Sequence, residues 1–516
     1  MKDKFIKQWT DLYSEQMNVR LEKRDKMLEA GSNPYKSGYA PDTTATKLKE
    51  KYEHLSKEEI GTTPDFKFAG RVLLVRDFGK AAFLQCDDGT DRFQLYIKKG
   101  VVSDKGFEEY KKLDHGDIIY ASGDIFKTNK GELSLNAKEF LILTKALRPL
   151  PEKFHGLTDP ELRYRMRYLD LIMNPETRDK LKKRSKIIRF IREFFYQNDF
   201  LEVETPMLHS IAGGATAKPF LTHHNALDME LFMRIAPELH LKRLLVGGFP
   251  KVFEMNRCFR NEGISYKHNP EFTSIEFYWA YATYENVMDI TEELLTKLVK
   301  EVNGSNKVVF EDKEIIFNER FNRMTLKDSV KKFTDFSDAD LKDKKKMIAH
   351  LLTKTEVKKS ELEKMSTERL MVVMFEEFVE PNLIQPTFIT QYPTEVSPLS
   401  RQNDNDPNYV DRFELFINGW EIANAFSELN NPTDQLSRFS QQAELKAGGD
   451  EEACDVDYDY VRALEYGMPP AGGWGMGIDR LCMILTNSPT IREIILFPQL
   501  KKELFFEGES SESKET

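Results

Sequence analysis

Cysteine is scarce in this chain and metal-binding motifs are missing from it. Four cysteines in 516 residues form no CxxC pair; they are Cys86, Cys258, Cys454 and Cys482. Their scarcity and spacing exclude a disulfide scaffold and the common zinc arrangements. HExxH is also absent, and we interpret the pair His223 and His224 as solvated or core residues rather than metal ligands.

Long apolar runs and an excess of positive charge are missing as well. No stretch approaches the roughly 18 apolar residues of a membrane span, and the mixed-charge N-terminus has no signal-peptide core. We therefore expect a cytoplasmic protein without a membrane partner. Lys plus Arg is 75 and Asp plus Glu is 85, which gives a net charge of −10. Any polyanion must then be bound by local basic patches, since the summed charge repels it.

The N-terminal residues 1–60 carry apolar side chains at helical spacing among many Lys and Glu. The spaced residues are Phe5, Trp9, Leu12 and Val19. We interpret this segment as a solvated helical extension, with a helper surface for RNA as the alternative.

Residues 61–146 change to short β-like runs separated by turn signals such as Asp88-Gly89. Five predicted strands and a short helix near 103–112 match the strand count of an OB barrel, a common binder of single-stranded nucleic acid. The pattern alone would also suit another small β-barrel.

The rest of the chain reads as a linker, a large domain and a tail. A segment rich in Pro and Arg predicts a linker over 147–175, and the pattern then predicts a large domain over 176–505. Within that domain, a charged stretch at about 323–382 predicts a helical insertion. The acidic, serine-rich end 506–516 predicts disorder.

A strand–loop–strand over residues 252–280 carries the first candidate site. Its return strand, EFTSIEFYWA, alternates between an apolar face and a face with Phe272, Ser274, Glu276 and Tyr278. A core would not choose these polar groups unless they lined a cavity. Arg260 at the loop suits the capture of phosphate or carboxylate. A hairpin with a salt-bridged loop is the plainer alternative.

The segment RFELFINGWEIANAFSELN predicts a hairpin around Asn418-Gly419. In a regular two-residue hairpin, residue 414 opposes 423, and Glu414 lies diagonal to Glu421 on one face. Two such carboxylates suit shared Mg²⁺ better than a bare like-charge pair. Asn424 and Glu428 have the opposite parity from Glu421, so a bulge is needed to aim all of them at one cavity.

The segment GGWGMGIDRLCMIL is glycine-rich and leads into a helix that carries Arg480. It does not fit GxGxxG, and GxxxxGK[ST] is absent, so neither a dinucleotide fingerprint nor a P-loop is present. Its glycines allow a ligand to approach the backbone closely, and Arg480 supplies a fixed positive charge for phosphate.

Together these segments resemble the signatures of class II aminoacyl-tRNA synthetases. FRNEGISYKHNPEFTSIEFYWAY resembles the second signature, GWGMGIDR the third, and IIRFIREFFYQNDFLEVETPML the first. IAGGATAKPF, APELHLKRLLVGGF, TFITQYPTEVSPLSR and NAFSELN resemble the lysyl-tRNA synthetases among them. The resemblance covers about residues 61–500. It implies an α+β fold, with an OB-fold β-barrel before a catalytic domain built on an antiparallel sheet flanked by helices.

The resemblance also implies an activity and roles for individual residues. The enzyme would activate L-lysine with ATP, release pyrophosphate and transfer lysine to the 3′ end of tRNA(Lys). Arg260 and Arg480 would be catalytic. ATP would be bound by Arg260, Glu262, His268, Asn269, Phe272 and Arg480. Lysine would be bound by Gly214, Glu238, Arg260, Glu276, Tyr278, Asn424, Phe426 and Glu428, with Glu428 and Tyr278 at the ε-ammonium.

Metal, tRNA and dimer contacts follow from the same resemblance. Glu414 and Glu421 would hold Mg²⁺, with as many as three ions beside ATP. The family's anticodon readers would be Arg71, Phe83, Gln94 and Glu132. The helix and strand of 187–207 would form a homodimer interface.

Three other activities compete with lysine charging. A synthetase for aspartate or asparagine would need cationic groups beside the substrate side chain, where SELN instead supplies Glu428. A paralogue that does not charge tRNA would be expected to lose Arg260, Arg480, Glu414 or Glu421, and all four are present. A lysine ligase acting on a protein typically lacks the OB domain.

Overall fold

The computed structural model describes residues 14–151, 157–215, 217–448 and 454–501. It divides into two compact units, Met1–Gly156 and Leu157–Thr516. The expectations for Phe5, Trp9 and Leu12, and for disorder over 506–516, lie outside the described residues. No helix among the described residues is long and apolar enough to cross a bilayer.

The first unit contains a closed five-stranded barrel, which confirms the OB-type prediction. Its strands pair in the order β1-β2-β3-β5-β4. They are β1 (Phe66–Asp77), β2 (Ala81–Asp87), β3 (Arg92–Lys98), β4 (Ile118–Lys127) and β5 (Leu133–Thr144), with a helix Asp104–Tyr110 between β3 and β4. Closure removes the free strand edges that would otherwise pair with another chain.

From residue 14 onward, three helices precede the barrel and pack on it: α1 (Glu15–Glu29), α2 (Ala45–Tyr52) and α3 (Lys57–Ile60). Their apolar side chains join the core cluster of the barrel; these are Met27, Ala45, Leu48, Tyr52 and Ile60. The interpretation of this segment as a solvated extension is therefore wrong for its described part. Of the four spaced apolar residues, only Val19 is described, and it is exposed.

The second unit begins inside the segment predicted as a linker. The barrel helix between β3 and β4 is α4 (Asp104–Tyr110). The second unit begins with α5 (Pro160–Arg165) and α6 (Arg167–Met173). Arg167 on α6 is fully buried, forms an ion pair with Asp170 at 2.5 Å and donates to the backbone of Leu496. The linker prediction over 147–175 is corrected accordingly, because a buried, paired arginine anchors these helices to the catalytic unit.

An eight-stranded sheet forms the centre of the second unit, in the order β14-β15-β16-β17-β18-β11-β10-β6. All neighbours are antiparallel except β14–β15 and β10–β6. The strands are β6 (Leu201–Glu202), β10 (Lys251–Phe259), β11 (Glu271–Ala280), β14 (Asn322–Thr325), β15 (Thr387–Thr390), β16 (Arg412–Ile417), β17 (Trp420–Ser427) and β18 (Ala471–Gly477). This is the predicted sheet.

Smaller strands lie outside the central sheet. β7 (Leu208–His209), β8 (Leu221–His224) and β9 (Met229–Met233) form a three-stranded sheet, and β12 (Lys307–Phe310) pairs with β13 (Lys313–Ile316).

Helices cover one face of the central sheet and leave the other for the site. The longest, α7 (Pro175–Gln197) and α9 (Tyr284–Asn303), contribute Ile191 and Leu295 to a core that includes Ile275 and Phe277 of β11. These two β11 residues lie on the face predicted to be apolar. The remaining helices are α8 (Glu238–Val246), α14 (Pro432–Ala447), α15 (Tyr458–Glu465), α16 (Ile478–Leu485) and α17 (Ile491–Ile494).

The helical insertion predicted at about 323–382 corresponds to a run of short helices with its own core. The run contains α10 (Leu326–Thr334), α11 (Lys344–Leu351), α12 (Lys359–Leu362) and α13 (Thr367–Met374), two 3₁₀ turns (Asp340–Lys342 and Glu380–Asn382) and a π-helical turn (Phe375–Val379). Another 3₁₀ turn, Thr394–Val396, follows β15.

Candidate active site

The glycine-rich strand β18 runs between β11 and β17 and leaves space in front of both. Gly473 lies opposite Tyr278 of β11 and Phe426 of β17, and Gly475 lies opposite Glu276 and Asn424. A side chain at either glycine would point toward the large groups on the neighbouring strands. The glycines therefore open the floor of a cavity, as the segment's composition predicted.

A cavity of about 260 Å³ lies over this floor. It is lined by thirteen of the residues that the sequence analysis assigned to ATP, lysine or metal: Gly214, Glu238, Arg260, Glu262, His268, Asn269, Phe272, Glu276, Tyr278, Glu421, Asn424, Phe426 and Arg480. Glu414 lines a neighbouring cavity that also contains Glu421. Glu428 lies behind the wall of the first cavity.

A bulge in the hairpin of β16 and β17 brings Glu421 and Asn424 to one face. Asn418 and Gly419 have φ values of 53° and 69°, which are typical of a type I′ turn. Phe416 pairs with Glu421, but Leu415 pairs with Ala423, so Ile422 is an extra residue. The predicted pairing of 414 with 423 is therefore wrong, since Glu414 pairs with Asn424. The bulge turns Glu421 to the same side as Asn424.

Glu428 is a buried carboxylate with one oxygen directed at the glycine floor. Its Oε1 has no hydrogen-bond partner among the described residues. A Cβ atom built on Gly473 would come within 1.8 Å of that oxygen and 2.6 Å of Tyr278 Cε1. Only a glycine at this position leaves room for both side chains. An unpartnered buried carboxylate oxygen is costly and points to a missing cationic or hydrogen-bonding ligand.

Glu428 shares a buried ammonium with Glu238. Lys242 Nζ contacts Glu428 Oε2 and lies 2.5 Å from Glu238 Oε1. Burial lowers the pKa of Lys242, but the two carboxylates outweigh this effect and hold it above its usual value. Burial raises the pKa of Glu428, and Lys242 opposes that rise. The contact between Lys242 and Glu428 gives each of these two buried groups a partner of opposite charge.

Glu276 lies beside this network and differs from it in charge. Tyr278 donates a hydrogen bond to Glu276 Oε2 at 3.1 Å. Burial, followed by the nearby charge of Glu238, raises the pKa of Glu276 to about 8. Glu276 is thus mainly protonated at pH 7, and an incoming cation would favour its ionised form.

Arg260 and Phe272 form the opposite wall of the cavity. The guanidinium lies over the Phe272 ring at 5.1 Å, and its Nε has no hydrogen-bond partner among the described residues. The predicted strand pair positions both residues. Arg260 directly follows β10, which ends at Phe259, and Phe272 is the second residue of β11, which begins at Glu271. Asn269 in the connecting loop is buried and donates to the backbone of Glu271. The wall offers a cation and a flat ring to a ligand.

Arg480 at the start of α16 reaches the outer side of the cavity. It donates to the Glu421 carbonyl at 2.8 Å, and its Nη2 lies 3.0 Å from His268 Nε2. Burial, followed by the charge of Arg480, lowers the pKa of His268. His268 and Glu262 are both exposed. This side of the cavity is therefore open to solvent and rich in positive charge.

Glu414 and Glu421 meet the chemical requirements of a Mg²⁺ site. Glu414 accepts from Tyr392 at 2.8 Å and contacts Arg412, while Glu421 Oε2 lies 3.4 Å from Arg480. Burial raises the pKa of Glu414, Arg412 opposes this rise, and the charge of Glu421 adds to it. A cation would relieve that repulsion. Mg²⁺ in nucleotide sites takes one or two carboxylates and completes its shell with phosphates and water, so this pair fits.

The barrel brings together three of the four predicted anticodon readers. The rings of Phe83 and Tyr96 lie 4.8 Å apart, and Gln94 donates to Ser134 at 2.8 Å. Glu132 precedes Ser134 by two residues, so it lies near Gln94. These side chains occur on the outer surface at one end of the strands.

Arg71 is not part of this group. It lies in the middle of β1 and pairs with Asp87, the last residue of β2, and its guanidinium donates to the Gly116 carbonyl. Arg76, which is exposed, is the register partner of Phe83. Arg71 therefore does not lie directly beside Phe83, and its role as an anticodon reader stays a prediction.

The sequence analysis also missed Lys242, Arg412 and Gly473. Lys242 had a signal, since it follows Glu238 by four residues in the apolar helix ELHLKRLLV. Arg412 donates a hydrogen bond to Asn424 at 3.0 Å and contacts Glu414. The sequence carried no signal for it except that residues 412 and 414 lie on the same face of one strand. Gly473 belonged to a recognised glycine run, but the run does not show which glycine is close to a carboxylate.

Comparison with protein families agrees with this fold and site. The family model described as tRNA synthetases class II (D, K and N) matches residues 159–501. The model of the OB-fold nucleic acid binding domain matches residues 66–143. The mostly antiparallel sheet, its glycine-floored cavity and the preceding barrel thus define a class II tRNA synthetase.

Curated relatives narrow this class. A protein of Aromatoleum aromaticum named Lysine--tRNA ligase is 50% identical over 486 residues, which cover 93% of this chain and 96% of the relative. Proteins of the same name from Oceanobacillus iheyensis and Dichelobacter nodosus are 50% and 49% identical, over 95% and 94% of this chain and 99% and 97% of their own lengths. The chain belongs to the lysine--tRNA ligase family.

Proposed function

We propose that this chain activates L-lysine with ATP and transfers it to the 3′ end of tRNA(Lys). The curated relatives carry the corresponding name. In the first step the lysine carboxylate attacks the α-phosphate of ATP, which gives lysyl-adenylate and pyrophosphate. In the second step a terminal ribose hydroxyl of tRNA attacks the adenylate carbonyl and releases AMP.

The unpartnered Oε1 of Glu428 is the observation that carries the choice of lysine. This oxygen is directed at the space kept open by Gly473 and Tyr278. A buried carboxylate that faces an ammonium discriminates strongly against neutral side chains, since those leave it without a partner. An aspartate or asparagine substrate would instead need a cation or a hydrogen-bond donor there.

The other groups of lysine have partners at the cavity wall. Glu238, with the backbone of Gly214, would bind the α-amine, and Arg260 with Asn424 would bind the carboxylate. Gly214 has a φ of 87°, a conformation that strains other residues, and its position against Glu238 supports a close backbone approach. Glu276 and Phe426 would shape the pocket around the aliphatic chain and its ε-ammonium.

ATP would bind across the Arg260–Arg480 side of the cavity. Phe272 would stack on adenine, Arg260 would contact the α-phosphate, and Arg480 would contact the γ-phosphate. Glu262, His268 and Asn269 would hold the bent nucleotide. The partly exposed guanidinium groups of Arg260 and Arg480 support the assignment, because guanidinium groups form strong, often bidentate hydrogen bonds to phosphate.

Glu414 and Glu421 would hold Mg²⁺ against the phosphates. Bound there, Mg²⁺ would neutralise phosphate charge. The chain's own residues contribute positioning and electrostatics: Arg260 would bring the lysine carboxylate and the α-phosphate together, and Arg480 would fix the leaving pyrophosphate. A protein nucleophile is not required, because the substrate carboxylate is itself the nucleophile.

ATP–pyrophosphate exchange without tRNA, measured with each of the twenty amino acids, tests the first step. Exchange with lysine alone is the expected result. Exchange with aspartate or asparagine would refute the assignment of Glu428, and no exchange with any amino acid would refute the enzymatic activity.

The barrel would bind the tRNA anticodon. Stacking of a base on Phe83, with edge contacts from Gln94, Glu132 and Arg76, is how single-stranded loops are commonly recognised. We expect Phe83→Ala to lower tRNA charging by about tenfold or more, since stacking contributes roughly 1–3 kcal/mol per base. Pyrophosphate exchange should stay near that of the parent. An equal loss in both assays would refute the division of roles.

The helix and strand of 187–207 would form a homodimer interface. Tyr196 and Leu201 are about half exposed, and Leu208 just beyond them is exposed as well. Exposed large apolar groups of this kind suit association with a partner. Sedimentation equilibrium should give twice the chain mass, and Leu201→Glu should shift it toward the monomer. Cys86, Cys258 and Cys482 are buried free thiols, which supports a reducing compartment such as the cytoplasm.

A further inference from the structure

Lys242 on α8 is a fully buried cation that the reaction itself does not use. Its Nζ lies 2.5 Å from Glu238 Oε1 and contacts Glu428 Oε2. The same atom lies 5.8 Å from the centre of the Tyr278 ring and 5.4 Å from that of Phe426. Every one of these partners lines the lysine side of the cavity or lies directly behind it.

Packing does not explain a lysine at this position. Moving an ammonium out of water costs several kcal/mol, and an apolar residue of similar volume often serves a core as well or better. The site is also not a simple pair, since one cation bridges two carboxylates from different elements: Glu238 lies on α8 and Glu428 follows β17. Such an arrangement fixes two side chains relative to each other.

Each carboxylate contacts Lys242 through one of its two oxygens. Glu238 uses Oε1 for Lys242 and still lines the cavity. Glu428 uses Oε2, and its Oε1 has no hydrogen-bond partner among the described residues. Under the proposed function these two acids bind the two ends of the substrate, the α-amine and the ε-ammonium.

We propose that Lys242 is a positioning residue that holds Glu238 and Glu428 at a set separation and thereby selects substrates by the distance between their two amino groups. This inference rests on the proposed lysine activation. A chain one methylene shorter, as in ornithine, cannot place both ammonium groups on carboxylates that are held apart in this way. Discrimination by chain length then depends on Lys242, which would not touch the substrate's reacting atoms.

Lys242 has a second effect, which is on charge. The other titratable groups that face it or Glu428 come from three elements; they are Glu238 of α8, Glu276 and Tyr278 of β11, and Tyr460 of α15. All four are acids, so Lys242 is the cation among these groups that opposes the rise in the pKa of Glu428. Without it, the pKa of Glu428 would rise further, and lysine binding would weaken as the pH falls through that higher value.

The test replaces Lys242 with methionine, which keeps the approximate volume and removes the charge. Pyrophosphate exchange is measured with lysine and with ornithine from pH 6 to pH 9. We expect kcat/KM for lysine to fall by about tenfold or more, mainly through KM, with the ATP KM unchanged. The ratio of lysine to ornithine activity should also fall, by roughly tenfold, the scale of discrimination by one methylene.

The pH profile separates positioning from packing. In Lys242→Met the acid side of the lysine kcat/KM profile should move to higher pH. Lys242→Gln, which keeps a hydrogen-bond donor, covers the case in which the methionine variant does not fold, and it should show the same shift. Arg167→Met is the matched control, because it also removes a buried, paired cation but lies on α6 and does not line the cavity.

The outcomes are distinct. A lysine-to-ornithine ratio and a pH profile like those of the parent, in a folded Lys242 variant, would overturn the inference. The same changes in Arg167→Met would also overturn it, since they would follow from lost stability. If the parent itself does not exchange with lysine, the proposed function fails first, and the variants are not needed to show it.

Discussion

The two sides of the active-site cavity hold their charges in opposite ways. On the lysine side, the side chains of Glu238, Lys242 and Glu428 are at most 8% exposed and are bound to one another. On the ATP side, Arg480 is 26% exposed, and Glu262 and His268 are open to solvent. The partly exposed guanidinium groups of Arg260 and Arg480 suit the phosphates of a nucleotide. An amino acid that must be told apart from others needs desolvated partners, which penalise a mismatch.

Glu428→Gln should cause the largest loss of kcat/KM for lysine. Removing one partner of a buried, charged contact costs roughly 3–5 kcal/mol, so lysine kcat/KM should fall on the order of 10³-fold. The ATP KM should stay within about twofold, since the ATP side does not depend on this residue. Pyrophosphate exchange at varied lysine and ATP measures both.

Glu254→Gln is the matched control for this variant. Glu254 is as buried as Glu428 and pairs with Arg234 at 2.6 Å, but it does not line the cavity. It should lower the midpoint of thermal unfolding and leave the lysine KM in place. An unchanged lysine KM in Glu428→Gln would contradict the ε-ammonium assignment.

Gly473→Ala should come next in size. The added Cβ would lie 1.8 Å from Glu428 Oε1, so the carboxylate or Tyr278 must move. A displacement of about 1 Å in a binding group costs on the order of 10²-fold, and we expect a loss of that order in lysine kcat/KM.

Gly475→Ala is the matched control for Gly473→Ala, because Gly475 lies on the same strand and the same face. Its added Cβ would meet Glu276 Cγ at 3.5 Å, an ordinary contact. It should therefore change the lysine kcat/KM only a few-fold. Similar losses in both variants would mean that strand flexibility, and not the space in front of Glu428, is what matters.

The pH dependence of lysine binding should be smaller, at most about tenfold. Glu276 has a pKa of about 8 in the empty cavity, because burial and Glu238 disfavour its charge. Lysine's ammonium favours the ionised form, so the lysine KM should fall by up to about tenfold in all between pH 7 and pH 9, as Glu276 ionises. The ATP KM should not follow. In Glu276→Gln the trend should disappear, and a persistent trend would assign it to another group.

The same raised pKa has a consequence for stability. The folded protein binds this proton more tightly than the unfolded chain does, so its stability falls as pH rises from about 4 toward 8. The advantage of Glu276→Gln in the free energy of unfolding should accordingly be largest near pH 8. Urea unfolding at pH 5 and pH 8 measures the difference.

The smallest expected effect is that of salt, which should change the ATP KM more than the lysine KM. Raising the salt from about 0.05 M to about 0.5 M shortens the screening length and should raise the ATP KM about threefold, since the cations on that side are partly open to solvent. The lysine KM should change little, because water and ions are excluded from Lys242 and its carboxylates. Equal responses of the two KM values would refute the contrast drawn here.

Local pattern was enough to predict much of this site. The alternation in EFTSIEFYWA predicted a strand with Ile275 and Phe277 in the core and Glu276 and Tyr278 toward a cavity, and β11 has those faces. The barrel strands and the Asn418-Gly419 hairpin were predicted in the same way. These features depend on neighbours within a few residues, where side-chain direction follows from backbone geometry.

Three features required the tertiary structure. The bulge at Ile422 decides that Glu421 and Asn424 share one face, and nothing in the local pattern indicates it. The position of Arg76 beside Phe83 depends on the pairing of β1 with β2. Lys242 had a sequence neighbour in Glu238, but its second partner, Glu428, lies far along the chain.

The sequence by itself therefore determined the elements, the faces of the strands and the family of this protein. The tertiary structure decided which charges share a low-dielectric space. The reason is physical: strand and helix periodicity act over a few residues, whereas register shifts and the pairing of Lys242 with two carboxylates arise only when distant segments pack and exclude water.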